Sequence, residues 1–411
     1  MADIDASALG ERADTMIRTL ASISAEPNRL IRTYLSPEHR AAADLIAKWM
    51  RAANLDVSED ALGTVRGHWA GKSKRRLLIG SHIDTVVESG MFDGPLGVIA
   101  GILAAEHFAQ AKRKLLFGID VLAFGDEEGV RFPATLASSM ACAGQFDVER
   151  LQMVDREGTT LREAITQFGH KVADIPAAAY RRDEAAAYVE VHIEQGPVLE
   201  VRNQPLGVVT AIAGQTYLNV ELLGEAGHAG TVPMLLRRDA LAGSAEVILL
   251  AERLARETNG AVVATVGHLR IPAAAANVIA GSVALIVDIR SGSDEARHQF
   301  VETFKAEIRA LADRRHLGLM ITETRNVATT PCDPALQDAM SAAIVTTGGE
   351  PVNLASGAGH DGTAMAKLCP IAMMFVRCRG GISHNPAEYA SPADMGLAVA
   401  ALIRFIEAVK L

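Results

Sequence analysis

The chain has 411 residues, of which 49% are apolar and 22% charged, and a formal net charge of -9. That length exceeds what one hydrophobic core usually organises, so two or more domains are expected. The acidic balance argues against a nucleic-acid partner, which needs a basic face, and no apolar run is long enough to span a bilayer.

The opening MADIDASALGERAD is polar and acidic, without the basic-then-apolar order of a signal peptide, so a cytoplasmic location is expected. Residues 12–52 carry helical periodicity, broken near Ser36-Pro37. Arg76 to Asp84 reads as a buried strand, Gly97 to Gln110 as a helix, and Leu115 to Phe124 as a second buried strand. Tyr188 to Glu194 is a third. Apolar strands alternating with helices predict an α/β fold around a mostly parallel sheet covered on both faces. Ligands in such folds bind beyond the carboxyl ends of the strands.

The pattern changes after about Gly214. Leu218–Gly224 alternates like a half-exposed strand, and Arg237–Glu257 is amphipathic and helical. Ala261–Ile271 and Ser282–Arg290 read as strands, Ser293–Arg315 as a helix and Leu319–Val327 as a last strand. This β-α-β-β-α-β order is that of a ferredoxin-like α+β unit. We expect it over 214–328, inserted between a first catalytic part, 1–213, and a second, 329–411. Cys142, Cys332, Cys369 and Cys378 form no CxxC pair and read as reduced, buried thiols.

Five islands, GSHIDTVVESGMFDG, FGDEEG, HIEQGP, GHAGTVPM and GISHNPAE, place His, Asp or Glu in glycine-flanked turns after apolar runs. Imidazole and carboxylate are the donors that zinc and manganese favour. His82 and Asp84 are two apart, so on a strand both face one cleft: His82 as a ligand, Asp84 bonded to its other ring nitrogen. The plainer reading is a strand-end histidine and a turn-starting aspartate. Asp93, in a DG pair, is either a simple turn or a carboxylate able to bridge two cations. Asp126-Glu127-Glu128 is either a solvated acidic turn or a set in which one carboxylate binds metal and another takes a proton from water. His192 opens HIEQGP at the third strand end and His384 lies within GISHNPAE; each reads either as a ligand or as a satisfied core histidine. His360, in GAGHDG, suits either a place near the metals or a helix-capping turn. His39, His68, His107, His170, His268, His298 and His316 have ordinary neighbours and receive no role. In the inserted unit, His228, Asn277 and Arg290 bring together an imidazole, an amide and a guanidinium, suited to holding a carboxylate and polarising a carbonyl. Arg290 is equally well read as one half of a surface ion pair.

With these residues in view, the chain resembles the carbamoylase and allantoate amidohydrolase branch of the dinuclear zinc aminoacylase–carboxypeptidase superfamily, nearly end to end. HIEQGPVLE, GHAGTVPM and GISHNPAE carry the branch; HxD and the EE pair carry the wider superfamily. The resemblance implies two divalent cations per subunit, Zn2+ or Mn2+, with Co2+ or Ni2+ as alternatives. It implies His82, Asp93 and His192 around the first, and Asp93, Glu128 and His384 around the second, with Asp93 bridging. Glu127 matches the general base, and Asp84 the carboxylate orienting the first histidine. His228, Asn277 and Arg290 match residues of a lid that binds substrate and forms a homodimer, with His228 stabilising the oxyanion. Gln195, Gln215, Gly359 and His360 match further substrate-side positions. Ala280, where proline is usual, and the glycine-rich loop 359–362, where alanine is common, depart from the pattern near the substrate. The implied activity is hydrolysis of the ureido C–N bond of a small carboxylic acid. Allantoate leads; an N-carbamoyl-L-amino acid or a β-ureido acid is the alternative, a metallo-aminoacylase or peptidase stands third, and a binding protein without turnover would have no use for Glu127.

Overall fold

The computed structural model describes residues 4–111 and 115–411, and the chain divides into two compact units, one ending at Thr210 and resuming over Pro331–Leu411, the other Ala211–Thr330.

The first unit is built on a nine-stranded sheet. From one edge the strands run Asp56–Glu59, Val65–Trp69, Gly118–Phe124, Arg76–His82, Ala185–Ile193, Ile371–Val376, Leu206–Ile212 and Thr330–Pro331, with Val352–Ser356 paired to Leu206–Ile212. The four central strands, from Gly118–Phe124 to Ile371–Val376, are mutually parallel. They are buried along almost their whole length, as strands covered on both faces must be. The flanking pairs are antiparallel. The α/β class with a largely parallel sheet is thus the fold observed. Because the central strands run the same way, the loops after His82, Phe124, Ile193 and Val376 all leave one edge of the sheet.

The N-terminal stretch differs from its periodicity. Helices cover Ala6–Ala21 and Pro37–Ala52, and everything between is non-helical. Pro27 disfavours helix at the residue before it. The segment is also held in the core by Arg32, which is fully buried. The Arg32 carbonyl accepts from Thr85 N at 3.0 Å, and its guanidinium donates from Nε to Ile83 O at 2.6 Å and from Nη1 to Leu20 O at 3.0 Å. The second helix starts where its sequence dictates. Ser36 caps it, accepting from His39 N at 3.1 Å, and Pro37 occupies the first turn.

The helix over Gly97–Gln110 begins two residues earlier, at Pro95, and is apolar on every side because it is buried on most of them. Gly97 is where it meets the sheet: a Cβ there would lie 2.2 Å from Val191 O and 2.8 Å from Ser81 Cβ. Among the described residues no helix is long and apolar enough to cross a membrane, and all four cysteines are buried and unpaired.

The second unit has a four-stranded antiparallel sheet in the order Gly318–Val327, Gly214–Leu223, Ser282–Ser291, Val263–Arg270. Numbered along the chain, that order is 4-1-3-2. Helices Ala240–Glu257 and Asp294–Arg314 supply Val247, Leu250, Leu254, Phe300, Phe304 and Ile308 to a core with the inward residues Leu218, Val220, Val283, Leu285 and Val287.

Gly97→Ala should cost the first unit about 1–3 kcal/mol, the usual range for overpacking. Both tryptophans, Trp49 and Trp69, lie in that unit, so denaturant unfolding followed by their fluorescence reads it alone. An unchanged midpoint would mean that the helix yields at no cost.

Candidate metal centre

The sheet edge brings the histidine and carboxylate islands of the first unit together. His82 ends its strand, and Asp93 follows in the next loop. His192 lies one residue before the end of its strand, and the two rings stand 5.8 Å apart. His192 Nε2 is 3.1 Å and His82 Nε2 3.6 Å from Asp93 Oδ1. The other carboxylate oxygen of Asp93 faces a different partner: His384 Nε2 lies 3.2 Å from Oδ2 and 3.6 Å from Glu128 Oε2. Two triads result, His82–Asp93–His192 and Asp93–Glu128–His384, each offering donor atoms within 4.8 Å of one another. The first is buried, whereas the His384 side chain is 51% exposed.

The donor set fits divalent cations. His192 Nε2, despite its closeness to Asp93, and Glu128 Oε1 are both buried without a hydrogen bond of acceptable geometry. Burial pushes Asp93 upward, but the imidazoles of His192, His384 and His82 close to its two oxygens outweigh it and hold the carboxyl well below the usual range. His384 is raised to about 8, chiefly by its hydrogen bond to Asp93. The imidazoles thus hold protons against an ionised Asp93, and a bound cation would displace them. Burial raises Glu128 to about 7, with His82 opposing and Asp93 adding. Burial also lifts Glu127 well above the carboxylate range, opposed by His82 and reinforced by Glu128 and Asp361.

The acidic triplet splits. Asp126 takes a positive φ of 69° and turns into the protein, where burial keeps its carboxyl well above the ordinary value. Glu127 and Glu128 face the histidines, Glu127 Oε2 lying 4.0 Å from His82 Nε2. Asp84 serves both neighbours. Its backbone carbonyl lies 3.0 Å from His82 Nδ1 and its carboxylate 3.5 Å from the same nitrogen. The carboxylate accepts backbone N–H bonds from Glu127 and Glu128, each at 3.2 Å. The expectation of a carboxylate–imidazole pair is therefore only part of what Asp84 does. The strand ends at His82, so Asp84 is free of the pleat and turns toward the amides of the acidic loop.

Gly94 has φ +86°, and a Cβ there would lie 2.5 Å from His82 Cε1, so no side chain fits between Asp93 and the helix that follows. Gln195 Nε2 donates to Asp93 Oδ2 at 2.8 Å, and its Oε1 is buried without a partner. Gly359 stands beside the general-base candidate: a Cβ there would lie 3.6 Å from Glu127 Oε1. His360 is buried, its ring 4.5 Å from that of His192. Its Nε2 is 2.6 Å from Ser356 Oγ, and its Nδ1 is unpartnered. Burial, then the nearby His192, keep it neutral.

Sequence reasoning left out three acids that reach this place. Glu190 precedes His192 by two residues on the same strand face, a spacing as legible as that of His82 and Asp84. It accepts from Tyr188 OH and Gly362 N, each at 3.0 Å, and groups with His192 and His360. Asp361 is fully buried, and its charge adds to the rise of Glu127; Glu388 belongs to the GISHNPAE island without having been given a role. The dismissed His39, His68 and His170 are structural: His39 Nδ1 accepts from Leu35 N at 3.0 Å, His68 pairs with Asp120, and His170 lies 2.9 Å from Glu59.

In the second unit, His228 and Asn277 meet in a short ribbon where His228 pairs with Val278 and Ala229 N donates to Asn277 O at 2.9 Å. Arg290 lies opposite Gln215 across the ladder. Asp288 grips Arg290 with Oδ2, 3.0 Å from Nε and 2.8 Å from Nη2, and Gln215 Nε2 donates to Asp288 Oδ1 at 3.1 Å. The ion pair weighed for Arg290 is present, and it lies within the strand.

The model of the peptidase family M20/M25/M40 matches residues 78–408. A probable allantoate deiminase of Oryza sativa subsp. japonica is 39% identical, over 96% of this chain and 88% of that protein. An N-carbamoyl-L-amino acid amidohydrolase of Geobacillus stearothermophilus is 38% identical, over 94% and 95%. The crystal structure of an amidase of the hydantoinase/carbamoylase family from Burkholderia multivorans superposes with a TM-score of 0.91 at 31% identity, over 97% of both chains. A chain matched so fully, with its histidines and carboxylates gathered at one sheet edge, is a hydrolase of the M20/M25/M40 peptidase family.

Proposed function

We propose that this protein is a metal-dependent amidohydrolase that cleaves the ureido C–N bond of a small carboxylic acid, with allantoate as its substrate. One observation carries the reading: Asp93 directs one carboxylate oxygen to His82 and His192 and the other to His384, as a bridge between two cations must. The allantoate deiminase relative supports the first choice of substrate, and the carbamoylase relative, almost as similar, supports an N-carbamoyl-L-amino acid as the second reading.

Zn2+ or Mn2+ held by His82, Asp93 and His192 and by Asp93, Glu128 and His384 would supply Lewis acidity to the carbonyl and to water. Glu127 takes the proton from the attacking water and returns it to the departing nitrogen. Its raised proton affinity suits both halves of that task. Asp84 holds Glu127 in place through the backbone of the acidic loop. The unpartnered Gln195 Oε1 and His360 Nδ1 are offered to the ureido group, and Gly359 keeps the space beside Glu127 open. His228 donates to the developing oxyanion, while Arg290, Asn277 and Gln215 orient the substrate carboxylate, with Asp288 aligning the guanidinium. The water oxygen bonds to the ureido carbon as its C–N bond breaks, giving the free amine and carbamate, and the carbamate then falls apart to ammonia and carbon dioxide. We extend the proposal to a cytoplasmic homodimer joined through residues 214–328.

Ammonia release tests the reading directly. The manganese-loaded protein should act on allantoate well ahead of N-carbamoyl-L-amino acids and N-carbamoyl-β-alanine. It should lose activity on chelation and regain it with Mn2+, Zn2+ or Co2+. Full turnover in a preparation shown to be metal-free would overturn the mechanism; a carbamoyl amino acid far ahead would select the second reading. Glu127→Gln should keep its metals and lose about 10²–10⁴-fold in kcat, the usual worth of general acid–base catalysis. Metal loss in parallel with activity would make Glu127 a ligand instead.

A further inference from the structure

His82 and His192 sit at strand ends, and the sheet sets their positions. His384 has no such support. It is at φ 53° in the loop between Gly381 and the helix Pro392–Ala408, with half its side chain exposed. The base of this loop is closed by Arg379 N donating to Tyr389 O at 2.8 Å. Something must still hold its tip against Asp93 for the second triad to exist.

We propose that Glu388 is the positioning residue that fixes the His384 loop to Asp93 and so builds the second cation position; this rests on the dinuclear reading above. Glu388 is 3% exposed. Its Oε1 accepts from Phe92 N at 2.8 Å and from Asp93 N at 3.1 Å, which pins the backbone of the bridging aspartate. Its Oε2 lies 3.0 Å from Ser383 Oγ, and that same hydroxyl is 2.8 Å from Asp93 Oδ2, the oxygen that faces His384. One carboxylate therefore grips the Asp93 loop by its amides and, through the residue next to His384, the Asp93 side chain.

The opposing loop is shaped to receive it. A Cβ on Gly90 would lie 2.3 Å from both Glu388 Oε1 and Cδ, so a side chain at position 90 would expel the carboxyl. Gly90 and Gly94 thus clear the two sides of Asp93, one for Glu388 and the other for His82. Removing Glu388 would leave His82 and His192 on their strands and Asp93 still held by Gln195, so that the loss falls chiefly on the His384 side.

The test counts metals in the full-length chain, stripped with a chelator and titrated with Mn2+ by calorimetry, with elemental analysis after dialysis. Wild type should hold two ions. Glu388→Ala should hold one at wild-type affinity and bind the second roughly 10- to 100-fold more weakly, the typical effect of losing a residue that orients a ligand. Glu388→Gln should restore the second ion. Its amide oxygen can accept from both backbone amides, and its NH2 can donate to Ser383, whose proton then serves Asp93. Should Glu388→Ala fail to fold, Ser383→Ala, which cuts the side-chain link and a 3.2 Å contact with Gln195 but leaves the backbone grip of Glu388, should weaken the second ion and spare the first. Two ions at unchanged affinity in the alanine variants, equal loss of both, or no rescue by glutamine would each overturn the assignment. Fewer than two ions in wild type would overturn the dinuclear reading, and this proposal with it.

Discussion

Asp93, 2% exposed, is a buried carboxylate with imidazoles on both of its oxygens, and the first unit is organised to make that burial tolerable. A lone carboxylate removed from water is heavily penalised, so it must be met by hydrogen-bond donors and positive charge. His192, His384 and His82 supply the charge, while Gln195, Ser383 and the grip of Glu388 on the backbone supply direction. The same surroundings concentrate carboxylates nearby, and burial, reinforced by Glu128 and Asp361 at Glu127 and by Asp93 and Asp84 at Glu128, raises both glutamates. A cluster so rich in acids and neutralisable imidazoles is arranged for cations.

The parallel centre of the sheet makes this possible. Four parallel strands deliver four loops to one edge, so islands separated by up to some 300 residues of chain converge without long excursions. Glycine is needed where that convergence is tightest. Gly97 lets the helix after Asp93 lie on the backbone next to His192, and Gly94 lets Asp93 turn beside His82. Arg32 reaches in from the N-terminal segment to hold Ile83, the residue between His82 and Asp84.

Within the second unit, Asp288, Arg290 and Gln215 form one connected polar group on the open side of a sheet whose other face is its core. A guanidinium held bidentate is preorganised, and part of its charge is already answered. That favours a role in orientation over one of simple attraction, and it makes Asp288 part of whatever Arg290 does.

The sequence by itself determined the α/β class, the type of the central strands and of the elements of the second unit, and the islands that hold the candidate ligands, because periodicity and glycine-flanked polar residues at strand ends are local signals. It also separated the histidines with structural neighbours from those in such islands. It could not divide Asp126-Glu127-Glu128, since the division depends on a positive φ at Asp126 and on Asp84 receiving the two amides that follow, contacts across more than 40 positions. Nor could it foresee the non-helical run between Ala21 and Pro37, which Arg32 stabilises through Ile83 and Thr85, or the task of Glu388, whose partners lie 295 and 296 residues away. These features were decided by tertiary structure alone, because a buried polar group is defined by which distant donors and acceptors the fold sets against it.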